Sequence, residues 1–122
     1  MVYFAVENIS DVINSLKNKG NKIKENVQIS MIEGGQLLKE EIQASIDGQR
    51  AEPRSVDTGN FLNSIELSTF VGGAKVSTDV DYSKFLEYGT SKINERRHFR
   101  NSTDRTKPVI IEKVKDAIKT SL

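Results

Sequence analysis

Apolar residues recur along this chain in two rhythms. Val2, Phe4 and Val6 alternate with Tyr3 and Ala5, the period of a short opening strand. Asn8 or Ser10 can then cap a helix, because a short oxygen-bearing side chain satisfies free backbone N–H groups. The stripe that follows steps by three and four: Val12, Ile13, Leu16, Ile23, Val27, Met31, Leu38, Ile42 and Ile46. Gly20 and Gly34 occupy places where the stripe would put apolar residues. One helix, or two collinear pieces, could run from about Ser10 to Asp47, and unbroken it would reach roughly 55 Å. A globule of this size has a radius of gyration of only about 14 Å. Either a glycine breaks the helix, or the glycines admit another backbone and a neighbouring subunit covers part of the stripe. The pattern favours a break or bend near Gly20, with a long second helix.

Asp47–Asn60 (DGQRAEPRSVDTGN) has no periodicity and reads as a loop, adaptable over residues 48–60. Alternation then resumes, with Ile65, Leu67, Thr69 and Val71 on one face and Glu66, Ser68 and Phe70 on the other. After Gly72-Gly73, Ala74, Val76, Thr78 and Val80 share a face. A glycine turn between two such runs predicts an antiparallel hairpin. Asp81 can cap a short helix from Tyr82 to Tyr88 whose Tyr82, Phe85 and Leu86 pack on the sheet. Gly89 then ends it in a positive-φ conformation. Thr90 and Ser91 can hydrogen-bond the turn. A last helix carries Ile110, Ile111, Val114, Ile118 and Leu122, with Pro108 in its first turn behind a Thr106 cap; a start near Asn101 with a kink at Pro108 is the alternative. The expected class is α+β: an N-terminal strand and long helical segment, a small antiparallel sheet with a Gly-Gly hairpin, a short helix, and a C-terminal helix on the sheet.

Composition narrows the function. At 122 residues the chain predicts one domain, with 36% hydrophobic and 29% charged residues, a lean supply for a monomer burying everything alone. Net charge is +1 and gives no global field for nucleic acid. There is no cysteine, so thiol chemistry and disulfides are excluded. No apolar run approaches the ~20 residues of a membrane span, and the start lacks signal-peptide character. Charge is nevertheless uneven. Glu33 to Glu66 holds seven acids against three bases, and Lys92 to Lys107 six bases against two acids. Solvated faces explain this, or an acidic surface on one copy meets a basic one on the next.

Candidate chemistry is sparse. His98 is the single histidine and lies among Arg96, Arg97 and Arg100, whose charge disfavours a metal cation. Asp79 and Asp81 read as strand exit and helix cap, and Glu40-Glu41 as a solvated helix face. No glycine pattern matches a phosphate or dinucleotide loop. The residues therefore predict no catalytic site, no metal and no cofactor. The basic segment from 92 to 107, beside Phe99, could contact DNA phosphates, which keeps a DNA-binding accessory role as an alternative.

Three segments carry a likeness. Val56-Asp57-Thr58-Gly59-Asn60-Phe61-Leu62-Asn63-Ser64-Ile65 is similar to a "(V/P)xTGxLxxSI" entry to a hairpin. Tyr82-Ser83-Lys84-Phe85-Leu86-Glu87-Tyr88-Gly89-Thr90-Ser91-Lys92 is similar to "YAxyvExGTxK". Arg97-His98-Phe99-Arg100-Asn101-Ser102 is similar to "RPFLRPA" at the start of a last helix. Together they resemble the tailed-phage minor tail component family, the gene-product-ten-like tail-completion or neck proteins of the head–tail junction. The resemblance implies a non-enzymatic virion protein, made in the host cytoplasm, forming a homo-oligomeric ring between head–tail connector and tail tube. Its structural motif positions would be Thr58, Gly59, Tyr82, Phe85, Glu87, Gly89, Thr90 and Phe99. A tail terminator capping the tube is an alternative within the same class. His98 and Arg100 depart from the family's proline and apolar residue and predict a wetter loop at Phe99. Asn101-Ser102 stands for Pro-Ala at the helix start. On a ring reading, Arg96, Arg97 and Arg100 would face a neighbour's Glu40 and Glu41, or line the DNA channel. Glu87 would be exposed, pair with Lys84, or hold an arginine of the basic loop.

Overall fold

The computed structural model describes residues 2–5, 21–56 and 58–121. In chain order these form β1 (Val2–Ala5), α1 (Asn21–Ile46), α2 (Asn60–Asn63), β2 (Glu66–Phe70), β3 (Gly73–Thr78), α3 (Ser83–Tyr88) and α4 (His98–Ser121). The α+β class read from the sequence is the class observed. The predicted stripe from Val12 to Gly20 lies outside the described residues.

α1 runs its 26 residues without interruption, about 39 Å long. Ile23, Val27, Met31, Leu38, Ile42 and Ile46 form its buried stripe. Gly34 and Gly35 do not break it; they let two partners close in at once. A Cβ on Gly34 would stand 2.9 Å from Ile110, and one on Gly35 would stand 2.7 Å from Leu67 and 3.0 Å from Ala74. α1 is thus the central element, with α4 on one side and the sheet on another. The two long helices are antiparallel: Glu41 pairs with Arg105, Gly34 meets Ile110, and Glu33 approaches Lys113.

The sheet has order β1-β3-β2, antiparallel throughout, with Val2 opposite Thr78 and Glu66 opposite Ser77. β3 is central and buries Ala74, Val76, Ser77 and Thr78. β2 is an edge strand that packs mainly Leu67 inward, so the inward face predicted as far as Thr69 and Val71 stops at Leu67. The turn is Val71-Gly72, with Phe70 opposite Gly73. Gly72 has φ 96°, as this tight turn requires. The Gln28 side chain locks it from α1, donating to Phe70 O at 2.9 Å and accepting from Gly72 N at 3.1 Å. Val71, 99% exposed, therefore stands on a fixed turn.

α4 corrects the sequence expectation most. It begins at His98, not at Thr106 or Asn101, and contains Pro108 in its interior. It lies chiefly along α1 rather than on the sheet. Phe99, Ser102, Thr106, Ile110 and Val114 form its buried face, whereas Ile111 is exposed. α3 differs as well. Its inward residues are Ser83 and Glu87, while Tyr82 and Phe85, predicted to pack on the sheet, are exposed. No side chain caps it, so Asp81 does not act as predicted.

Candidate functional site

Glu87 explains where α4 starts. The first turn of a helix leaves N–H groups without partners. Glu87, 1% exposed on α3, accepts Phe99 N at 2.8 Å on one oxygen and Arg100 N at 3.0 Å on the other. The same carboxylate takes Arg100 Nε at 2.9 Å, and the Arg100 guanidinium returns to the Glu87 carbonyl. Two elements separated in sequence thus share one cap. Gly89 makes the reversal between them possible. It has φ 76° and ψ 175°, a combination open essentially to glycine, and a Cβ there would stand 2.7 Å from Glu95 N and 2.8 Å from Ile93 O. Thr90 Oγ1 accepts from the N–H groups of Lys92 and Ile93, closing the next turn.

Beside this clamp lies a buried relay that sequence reasoning missed. His98 is fully buried, its ring edge-on to Phe61 at 6.0 Å. Nδ1 is 2.7 Å from Ser45 Oγ, and Nε2 is 2.7 Å from Ser55 Oγ. Ser45 Oγ donates to Glu52 at 2.5 Å, and Arg96 Nη1 donates to Ser55 Oγ at 2.8 Å. Proton directions follow by elimination. A carboxylate only accepts, so Ser45 gives its proton to Glu52 and receives Nδ1–H. Nε2 then accepts from Ser55, whose oxygen receives Arg96. Every donor points from Arg96 toward Glu52. Burial pushes the His98 imidazole down to about 4, with nearby Glu87 and Glu52 opposing. Glu52 is held down at about 2, first by its hydrogen bonds from Arg105 (2.7 and 3.0 Å), with Ser45 and Asn101 adding. A neutral imidazole between a cation and an anion is thereby fixed in one tautomer.

The arginines and carboxylates singled out in the sequence are largely engaged within the chain. Glu41 accepts Arg50 and Arg105, each at 2.7 Å, and the Arg50 hydrogen bond leads in lowering its carboxyl. Arg97 reaches Glu95 at 3.5 Å and Asn101 at 3.0 Å; Arg100 holds Glu87 and Glu95. Glu40 is exposed and, among the described residues, its side chain accepts only from Gln36. The Arg96 guanidinium donates through Nη1, to Ser55 and to Arg54 O at 3.0 Å, with no other side-chain hydrogen bond among the described residues, while its backbone N–H donates to Leu86 O at 2.7 Å. Thr58 Oγ1 accepts Asn60 N at 3.4 Å, and Gly59 precedes α2 at φ 86°. Phe99 is fully buried in the first turn of α4, so the wetness expected there stops short of its ring, while residues 91–95 of the preceding loop are exposed. The 48–60 segment, read as adaptable, is tied at buried Glu52 and at Ser55, whose N–H reaches Ile46 O at 2.7 Å.

Outside the relay, Arg54, Ser55, Val56, Thr58, Asn60, Tyr82, Leu86 and Arg96 line an open cleft of about 560 Å³. No group of three or more histidines or carboxylates suited to a metal occurs among the described residues, and none of their helices is long and apolar enough to cross a membrane. Comparisons with protein-family models, characterised proteins and solved structures found no match.

Proposed function

We propose that this chain is a structural, non-enzymatic assembly protein of a tailed-virus particle, forming a ring at the head–tail interface as a tail-completion or neck component. One observation carries the reading: the three segments that bear the family resemblance pack as one unit. Phe61 of the first is edge-on to Tyr82 of the second and to His98 of the third, and Glu87 of the second caps the third at Phe99 and Arg100. Motif residues far apart in sequence therefore serve one local construction.

That construction presents a surface suited to assembly. With Ser83 and Glu87 turned inward, α3 leaves Tyr82, Phe85 and Tyr88 exposed, at 44%, 45% and 56%. Arg100 sits 4.5 Å from the Tyr88 ring and Lys84 is 5.2 Å from that of Phe85, which orients both rings in advance. Clustered exposed aromatics with cationic neighbours are typical anchors of protein contacts. A ring needs such a patch to meet a different patch on the next copy.

The test is sedimentation and negative-stain electron microscopy of the purified protein, alone and mixed with tails. Concentration-dependent rings, or a collar on the tails, are expected, and the double variant F85S/Y88S should abolish them while melting like the parent. A chain that stays monomeric at every concentration and never associates with tails or connectors overturns the reading.

A further inference from the structure

We infer that the cleft between Arg54, Ser55, Val56, Thr58 and Asn60 on one side and Tyr82 and Leu86 on the other is a binding site for an acidic peptide segment of a partner protein, with a carboxylate held between Arg96 and Arg54 and an apolar side chain against Val56 and Leu86. The inference rests on the assembly reading for the partner being a protein.

Charge and shape both point this way. Two guanidinium-bearing residues, the Tyr82 phenol and the Asn60 amide line the cleft, and none of its described lining residues is acidic. Arg96 is half-buried and fixed through Nη1, which leaves Nε and Nη2 for the paired oxygens of a carboxylate. Arg54 is mostly exposed and touches Asp47 only at 3.8 Å. The cleft also opens beside Tyr82, one of the aromatics of the α3 face, so a segment crossing it meets apolar surface next to positive charge.

A nucleic-acid backbone fits less well. Duplex DNA carries a charge about every 1.7 Å along its axis and asks for a continuous track of cations. Here the adjacent Arg97 and Arg100 are held by Glu95 and Glu87, which interrupts such a track beside the cleft.

The site has a built-in reporter. Arg96 is the outer end of the relay that reaches His98 through Ser55, and His98 is the only imidazole in the chain. Nuclear magnetic resonance should follow the His98 ring and Arg96 Nε–H signals while a short capped peptide of alternating glutamate and leucine is titrated in. Matched titrations use the glutamine–leucine peptide, inorganic phosphate and single-stranded DNA. Saturable shifts with the acidic peptide, absent with its glutamine counterpart and weakened about tenfold or more in R96Q, are expected. R54Q should weaken binding similarly, and because its side chain stands outside the relay it covers the case of R96Q disturbing the fold. The distant K119Q should bind like the parent. Equal response to the glutamine peptide, a stronger response to phosphate or DNA, or full binding by R54Q overturns the site. Ring formation with a silent cleft overturns the site and leaves the assembly reading standing; a responsive cleft on a chain that never assembles does the reverse.

Discussion

At the scale of single residues, the structure concentrates its polar cost in His98, Glu52 and Glu87. His98 titrates near 4 when folded, against an ordinary 6.5, because burial penalises the charged ring. The unfolded chain therefore takes up this proton first, and stability falls as pH drops from about 6.5 toward 4, by up to about 3 kcal/mol. Glu52, held at about 2 by Arg105, contributes stability above 4.5 that is lost as pH falls from 4.5 toward 2. Urea unfolding followed across this range should show two successive losses. H98Q should flatten the upper one and E52Q the lower, and an unchanged upper slope in H98Q would disprove the assignment. Glu87 predicts a different outcome. E87Q leaves Arg100 with only the exposed Glu95 as a carboxylate partner and turns one acceptor of the α4 cap into a donor, costing about 2–4 kcal/mol of stability, read from the unfolding midpoint. The pairing of Glu87 with an arginine of the basic loop was one of the options the sequence offered and is met by Arg100, but its helix cap and the relay roles of His98 and Glu52 cannot be read from local sequence. Ser45 and His98 stand 53 positions apart, and the positive neighbours of His98 argue against the buried site it occupies. The available hint was the presence of hydroxyls on apolar faces: Ser45 between Ile42 and Ile46, and Ser102 and Thr106 on the inward side of α4.

At the scale of elements, periodicity was a good guide where the environment is simple. The apolar stripe of α1, the hairpin and the positive φ of Gly89 were all legible, because each follows from residues adjacent in sequence. The start of α4 was not, because its cap comes from Glu87 on another element and Pro108 looked like a beginning. α3 was misread for a related reason: a six-residue helix whose buried face is Ser83 and Glu87 carries no apolar signal for that face. Two glycines give a direct comparison. G89A meets both a strained backbone and atoms at 2.7 and 2.8 Å, and should cost about 3 kcal/mol or more. G72A at φ 96° has nothing within 4 Å, so only backbone strain remains, about 1–2 kcal/mol. Denaturation midpoints of the two variants test that order; equal losses would mean that the Gly89 turn yields freely.

At the scale of the whole molecule, the uneven charge of the sequence is partly absorbed by the fold. Arg97, Arg100 and Arg105 of the 92–107 segment meet acids at 41, 52, 87 and 95, so half of the apparent basic track is taken up in internal ion pairs. The folded protein should show little retention on duplex DNA at physiological salt, and a steep fall of affinity with added salt would restore the nucleic-acid reading. Charge reversal at Arg100 is a poor probe of assembly, since it strikes the Glu87 clamp and the fold with it. Arg96 and Arg54 in the cleft, and the α3 aromatics, are better targets.

The hairpin tip offers a practical opening. Since Val71 is almost wholly in solvent on a turn pinned by Gln28, and the chain has no cysteine, V71C would give a unique thiol for a fluorescent dye. On the proposed ring, energy transfer between dyes on neighbouring copies would measure spacing, and from it the number of copies in a closed circle; its absence at assembly concentrations would count against the ring.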